Sequence, residues 1–388
     1  MNKAILDTFS QLNPIEWGLL GVFVFIFLLR FYYLLFFTGR TLFRSRKEVI
    51  ANEVATQPIS VIFTVRNEEE NLRRILPQLL TIPNIKYEVV AVDDYSLDNT
   101  FSVLGAFKQK YSHFRISSLN EETRFSEKLA QNIALKAAKN DWVLLFPVAS
   151  EEAVRDWIVS FSANTGIKNR SVLLAYTGLK AKPGFFNLLC RLEMFAQQIK
   201  SAGFISNGIP FVYFEENVAF RKQGYFDLGG YGSKTKEPFA NLELMINDFI
   251  SKKQTAILFS EQSRLTKDIE TGKDDYYNLL RRSIRIESYL PRWKQFALAF
   301  ESLTSLLYLP LLIIAFVCLF DMWIILSVLA GVKILVHFII MKINQNRLNE
   351  RKIFISSLVY DLLMPYFKMF YRWHFKQQSR KQKWKGKV

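Results

Sequence analysis

Residues equipped for chemistry gather directly after short apolar runs. Arg66, Asn67, Glu68 and Glu69 follow "ISVIFTV" (59–65), and Asp93, Asp94, Tyr95, Ser96 and Asp98 follow "YEVVAV" (87–92). Neighbouring carboxylates raise each other's pKa, so the Asp93-Asp94 pair at a strand end points to a bound ligand. Asp98 instead has the position of a helix cap. A third apolar run, "DWVLLF" (141–146), leads into Pro147, Val148 and Ala149, which carry no ligating group, and then Ser150, Glu151 and Glu152. The histidines (His113, His337, His374) are scattered, and Cys190 and Cys318 stand far apart. This leaves no basis for a histidine metal site, a zinc spacing or a disulfide framework.

The elements that must hold these residues alternate. Apolar strands are expected at 59–65, 87–92, 114–119 and 141–146, with "SVLLAYTGL" (171–179) after a further helix. Helical spacing marks 68–80, 98–111 and 126–139. The pattern predicts an α/β domain, a mostly parallel sheet with helices on both faces. Ligands of such sheets lie beyond the carboxyl ends of the strands, where these acids stand.

"ISVIFTVRNEEENL" followed by "YEVVAVDDYSLDNT" resembles the opening of a family 2 glycosyltransferase, the inverting GT-A-fold enzymes that use nucleotide sugars. The likeness continues through "EKLAQNIALKAAKNDWVLLF" and "ENVAFRKQGYFDLGGYG" (216–232) and covers roughly residues 57–295. Membrane segments after this region fit the membrane-bound branch. The resemblance implies that Asn67 and Glu68 lie beside the nucleotide. It also implies that Asp93 accepts from a uracil-type base, that Asp94 lies near the ribose and that Lys128 faces the donor. Asn217 falls in the segment implied to be acceptor-side. The implied partners are a UDP-type nucleotide sugar and a lipid-linked or polysaccharide acceptor.

Three departures from that family follow. The Asp-x-Asp that would hold a divalent metal is replaced by Pro147-Val148-Ala149, none of which offers the hard side-chain oxygens that Mg²⁺ or Mn²⁺ need. The Glu-Asp pair carrying the general base is replaced by Ala240-Asn241 before "LELMI". The motif that clamps diphosphate keeps Arg281, Arg282 and Arg285 but has Ile286 in place of Trp. Metal and base each lower such barriers by several kcal/mol. The expectation is therefore nucleotide-sugar binding with weak or no catalysis, no cofactor, and a role beside active transferases. The alternative is an active enzyme, metal-independent or with relocated acids: Glu151 or Glu152 for Mg²⁺ or Mn²⁺, Glu237 for the base. As plain structural residues, Glu151 and Glu152 would sit in a first helical turn behind Ser150, and Glu237 on a loop surface.

The 388 residues carry a net charge of +16 and are 50% hydrophobic. A basic excess alone would allow a nucleic-acid partner, but here the charge borders apolar runs, which favours a membrane. After an N-terminal segment (1–16), the run at 17–38 has the length of a spanning helix, and 303–341 reads as a hairpin broken at Asp321. Arg40, Arg44, Arg46 and Lys47 after the first run, and Arg281 to Lys294 before the second, place the middle domain in the cytoplasm by the positive-inside rule. The run 353–371 has basic flanks and contains Asp361 and Lys368, so an interfacial or re-entrant helix is expected. The tail 372–388 has no acid and suits anionic lipid.

Overall fold

The computed structural model describes residues 12–43, 57–123, 125–150, 154–167, 169–350 and 352–385. Glu151 and Glu152, the candidate relocated ligands, lie outside the described residues, as do Arg44, Arg46 and Lys47. The chain divides into two compact units. One is Phe43–Leu290 with Arg347–Glu350; the other is Met1–Leu42, Pro291–Asn346 and Arg351–Val388.

The first unit is built on nine strands: β1 (Ile59–Val65), β2 (Tyr87–Asp93), β3 (Phe114–Ser118), β4 (Trp142–Leu145), β5 (Val172–Ala175), β6 (Thr177–Leu179), β7 (Val218–Arg221), β8 (Thr255–Leu258) and β9 (Leu265–Lys267). Seven form one sheet in the order β3-β2-β1-β4-β7-β5-β8, while β6 pairs with β9. Only β7 runs antiparallel to its neighbours in the large sheet. The expected mostly parallel, GT-A-like sheet is therefore present.

Alternation along β1 divides the core between two faces. Ile59, Val61, Phe63 and Val65 pack with Leu72, Ile75, Leu76 and Leu79 of the helix Glu69–Leu79. Ile62 faces the other way, toward Ala130, Ala134 and Leu135 of the helix Ser126–Ala137. Apolar groups on both sides explain why the strands read as unbroken apolar runs rather than alternating ones. Buried Ser60, one of two polar residues in β1, donates to Glu88 Oε1 at 2.6 Å.

One expected strand divides. Residues 171–179 form β5 and β6, separated at Tyr176, and the two strands join different sheets. The Tyr176 hydroxyl donates to Glu350 Oε1 at 2.8 Å, so the break anchors a buried side chain.

Among the described residues of the second unit, three helices are long and apolar enough to cross a membrane: Pro14–Leu42, Arg292–Cys318 and Phe320–Arg347. The first starts at a capping box, with Asn13 accepting from Glu16 N and Glu16 accepting from Asn13 N, both at 2.9 Å. Phe23, Ile26 and Phe27 pack with Tyr308, Ala315 and Leu326, and Arg30 pairs with Glu301 at 2.9 Å. The break expected at Asp321 is a short 3₁₀ turn, Phe320–Met322. A further helix, Phe354–Lys385, runs past the apolar stretch into the basic tail and is not among those three.

Candidate functional site

The loops after β1 and β2 are joined by reciprocal hydrogen bonds. Asn67 has φ 54°, which its short polar side chain tolerates. Its amide donates to Ser96 Oγ at 2.9 Å, and its Oδ1 accepts from Leu97 N at 2.8 Å. Glu68 N donates to Thr100 Oγ1 at 2.8 Å, and Glu69 Oε2 accepts from Asn99 N at 3.3 Å. Asp98 Oδ1 accepts from Thr100 N at 2.9 Å, but the helix cap is Asn99, so Asp98 stands one residue before the position its place in the sequence indicated.

Asp93 and Asp94 are both buried, but they differ in use. The Asp93 carboxylate accepts from the hydroxyl and the amide of Ser96, within its own turn. Asp94 is tied through its backbone, its amide donating to Val65 O at 2.8 Å, while its buried Oδ1 has no hydrogen-bond partner. That oxygen belongs to a residue lining an open cavity of about 590 Å³ at the carboxyl ends of β1 and β2. An unpartnered buried carboxylate oxygen is costly, so this wall is where a ligand would satisfy the protein.

The same cavity is lined by Arg66, Glu68, Glu127, Lys128, Glu237 and Asn241. Of the candidates from the sequence, Glu68, Asp94, Lys128 and Glu237 therefore meet there, while Asn67 and Asp93 brace the loops behind. Lys128 is buried, and its ammonium donates to the carbonyls of Lys234 (3.2 Å), Thr235 (3.4 Å) and Glu237. Burial holds its pKa below the ordinary lysine value, against the pull of Glu237 and other nearby acids. Glu237 accepts from Arg285 Nε at 2.8 Å and from Phe239 N at 3.2 Å.

Sequence reasoning passed over three acids: Glu127, which lines this cavity, and Glu215 and Glu243, which are not among its lining residues. Glu243 is fully buried and accepts from Arg282 Nε at 2.7 Å. Glu215 accepts from Gln131 Nε2 at 3.1 Å and from Leu242 N at 2.6 Å. Burial and the Glu243 charge push Glu215 well above the usual carboxylate range. Burial disfavours the Arg282 charge, but Glu243 and Glu215 outweigh it and raise its pKa. Glu127 hydrogen-bonds Asn241, the residue in the vacated base position. Desolvation, with the Glu243 and Asp94 charges, raises its pKa against the opposing effects of Asn241 and Arg282. The signal that could have found Glu127 is its place beside Lys128. Glu243 was visible in "LELMI", but its partner Arg282 lies 39 residues away.

A second cavity, of about 400 Å³, is lined by Phe214, Glu216, Phe239, Lys267 and Arg282 among others. Glu216 is held below its ordinary range because Lys267, at 2.7 Å, outweighs burial. Cys190 also lines this cavity, and burial pushes its thiol up to about 12, which leaves it unreactive. Arg281 donates to Asn278 Oδ1 at 3.0 Å and stacks over Phe239. Asn217 lines neither cavity. It is fully buried, accepts from Trp157 Nε1 at 2.7 Å and donates to Tyr176 O and Ser263 O at 2.8 and 3.1 Å. Its polar atoms are thus engaged within the core.

The tip of β4 is closed. Pro147, Val148 and Ala149 are buried, and Asp268 N donates to Ala149 O at 2.9 Å. Among the described residues no group of three or more His, Cys, Asp or Glu side chains is arranged to hold a metal ion. The described residues at this tip do not fit a divalent cation, since they offer no side-chain carboxylate.

Residues 60–146 match the sequence profile of the family described as glycosyl transferase family 2. A poly(ribitol-phosphate) beta-glucosyltransferase of Bacillus spizizenii strain W23 is 30% identical over 88 residues, 22% of this chain. The match spans only 14% of that relative's length. Among solved structures, the mannosyltransferase PcManGT from Pyrobaculum calidifontis, in complex with GDP-Man and Mn2+, superposes with a TM-score of 0.52 at 16% identity, covering 90% of this chain and 98% of that one. S. aureus TarS, residues 1–349, has a TM-score of 0.42 at 18% identity, covering 67% and 72%. Residues 60–146 are thus similar to the family 2 glycosyl transferases, and the chain shares the GT-A-like fold of that mannosyltransferase.

Proposed function

We propose that the protein is a membrane-anchored nucleotide-sugar binder of this fold whose metal-assisted transfer is slow or absent. It acts beside active transferases in envelope glycan or glycolipid synthesis. The observation that carries this reading is the buried tip of β4, whose described residues, Pro147 to Ser150, carry no acid. Two further features support it. Asn241 holds the base position, and Arg282 and Arg285 are committed to Glu243 and Glu237 rather than standing ready for a diphosphate. Asp94 and Glu68 remain on the cavity wall for a nucleotide. The nucleotide base is proposed at the wall of Asp94 and Glu68, since the Asp93 carboxylate, to which the resemblance assigned a uracil-type base, is held by Ser96 within its own turn.

The test is calorimetric titration of UDP, GDP and their sugars into purified protein, with Mg²⁺ or Mn²⁺ and with EDTA, paired with a transfer assay. Binding that survives EDTA without turnover is expected. Turnover that requires metal would overturn this reading and point to Glu151 or Glu152. Absence of any nucleotide binding at millimolar concentration would remove the donor-site assignment. A second reading, an active metal-independent transferase, is favoured by the Glu127–Asn241 contact, because a carboxylate of raised pKa suits a general base. EDTA-resistant turnover that collapses in Glu127→Gln would establish it.

The basic residues that flank the apolar runs further support a cytoplasmic position for the sheet unit. Side-specific cysteine labelling checks this, and a label on residues 57–290 from the outer face would reverse it.

A further inference from the structure

The helix Phe354–Lys385 has two faces of unlike fate. Ser357, Tyr360 and Met364 are buried within their own unit. Ser357 Oγ accepts from Gln345 Nε2 at 3.0 Å, whereas Tyr366, which by helical count falls on the opposite side, donates its hydroxyl to Leu306 O at 2.8 Å. Ile355 (73% exposed), Val359 (53%), Leu363 (54%), Phe370 (66%) and Trp373 (64%) lie on the other side, with Leu362 beside them. At 3.6 residues per turn those six side chains fall within an arc of about 100°, opposite the buried residues. Asp361 and Lys368 lie between the two faces. Tyr366 alone of this arc reaches back to the protein, and the six apolar side chains around it, each exposed, need an occupant.

We infer that this helix lies in the plane of an anionic membrane surface, with the stripe from Ile355 to Trp373 sunk into the boundary between headgroups and acyl chains. Charge complementarity names the occupant. No acid follows Asp361, and Lys376, Arg380, Lys381, Lys383, Lys385 and Lys387 follow Trp373. Each basic residue near an anionic surface contributes about 1 kcal/mol. An apolar face beside a basic polar one is the pattern of helices that rest in the interface. The same unit carries three helices suited to crossing a membrane, so lipid is already beside it.

The test uses the full chain in vesicles of phosphatidylcholine with phosphatidylglycerol. Cys318 is exposed and is replaced by Ser; Cys190 is buried and stays. Nitroxide labels are placed on single cysteines at positions 355, 359, 363, 370 and 373, and on a control at Lys368. Their depths are read from collisions with oxygen and with a water-soluble relaxant. The five stripe labels should share one shallow apolar depth, with the control more open to water. Vesicles lacking phosphatidylglycerol should shift the label at 373 toward water and leave that at 355 in place. A steady depth gradient of about 1.5 Å per residue would mean that the helix spans, and would overturn the inference. Water-exposed stripe labels would overturn it too, as would spin–spin broadening between like labels, which would make the occupant a second copy. An unmoved label at 373 would remove the anionic lipid from the assignment.

Discussion

Strands β2 and β4 lie on either side of β1 and end at the same edge of the sheet, yet their tips have opposite chemistry. The β2 tip is polar and self-organised: Asp93 is held by Ser96, Asn67 reaches across from the β1 loop, and Asp94 keeps an unpartnered oxygen on a cavity wall. The β4 tip is buried and apolar, and its backbone is tied down at Ala149 by Asp268. The contrast shows that the register of the sheet does not depend on what stands at its tips. Val61 pairs with both Val89 and Leu144, well inside the sheet, where apolar burial sets the alignment. A tip can therefore lose its acids while its strand persists.

The strongest way to break the contrast is to give β4 the chemistry of β2. Pro147→Asp with Ala149→Asp would place two carboxylates in buried positions, each costing several kcal/mol without a partner. A large fall in melting temperature is expected in metal-free buffer. Mn²⁺ should restore part of it, since a ligand that binds only the folded state shifts the equilibrium. An unchanged melting temperature would mean that the β4 tip is open to water after all, and the contrast would fail.

A smaller effect tests the β2 side. Asn67→Ala loses the bond to Leu97 N and puts a Cβ-bearing residue with no polar side chain at φ 54°. It should cost about 2 kcal/mol in denaturant unfolding, whereas Asn67→Gly, which keeps the conformation, should cost roughly half. Equal losses would show that the backbone conformation adds nothing.

The acids absent from β4 have counterparts at Glu215 and Glu243, and pH sharpens that point. Glu215 has its pKa raised by burial and by Glu243, so the folded protein holds its proton more tightly than the unfolded chain. The stability this contributes is complete below the unfolded value, 4.5, and is lost as pH rises through the folded one. Glu215→Gln should therefore gain on wild type between about pH 4 and neutrality, on the order of 1 kcal/mol. A constant difference in melting temperature across that range would contradict the assignment.

The least effect is expected at the cavity rim. Arg66 and Glu122 pair at 2.7 Å but are largely exposed. Arg66→Ala should leave the melting temperature almost unchanged, and high salt should erase any difference. A larger loss would mean that the rim braces the cavity.

Much of this was legible in the chain, for identifiable reasons. Strands and helices from 59 to 146 follow from local periodicity, which needs no distant partner. The membrane-length helices follow from apolar length alone. Asn67, Glu68, Asp93 and Asp94 were found because loops after consecutive parallel strands must meet at one edge. Lys128 and Glu237 could be nominated, but their meeting could not, because the lysine holds a loop 106–109 residues away. Asn217 sits in a motif, yet its environment is a core hydrogen-bond network that no spacing reveals.

By itself, then, the sequence determined the strands from 59 to 146, the apolar helices and the loss of the Asp-x-Asp after β4, because each is written in contiguous residues. Only the tertiary structure decided which carboxylate faces the cavity and which braces its own turn. It alone set Glu127 beside Asn241, and it alone paired Arg282 with Glu243. Those outcomes depend on burial and on partners distant in the chain, and the free energy of a buried charge is set by what surrounds it rather than by its neighbours in sequence.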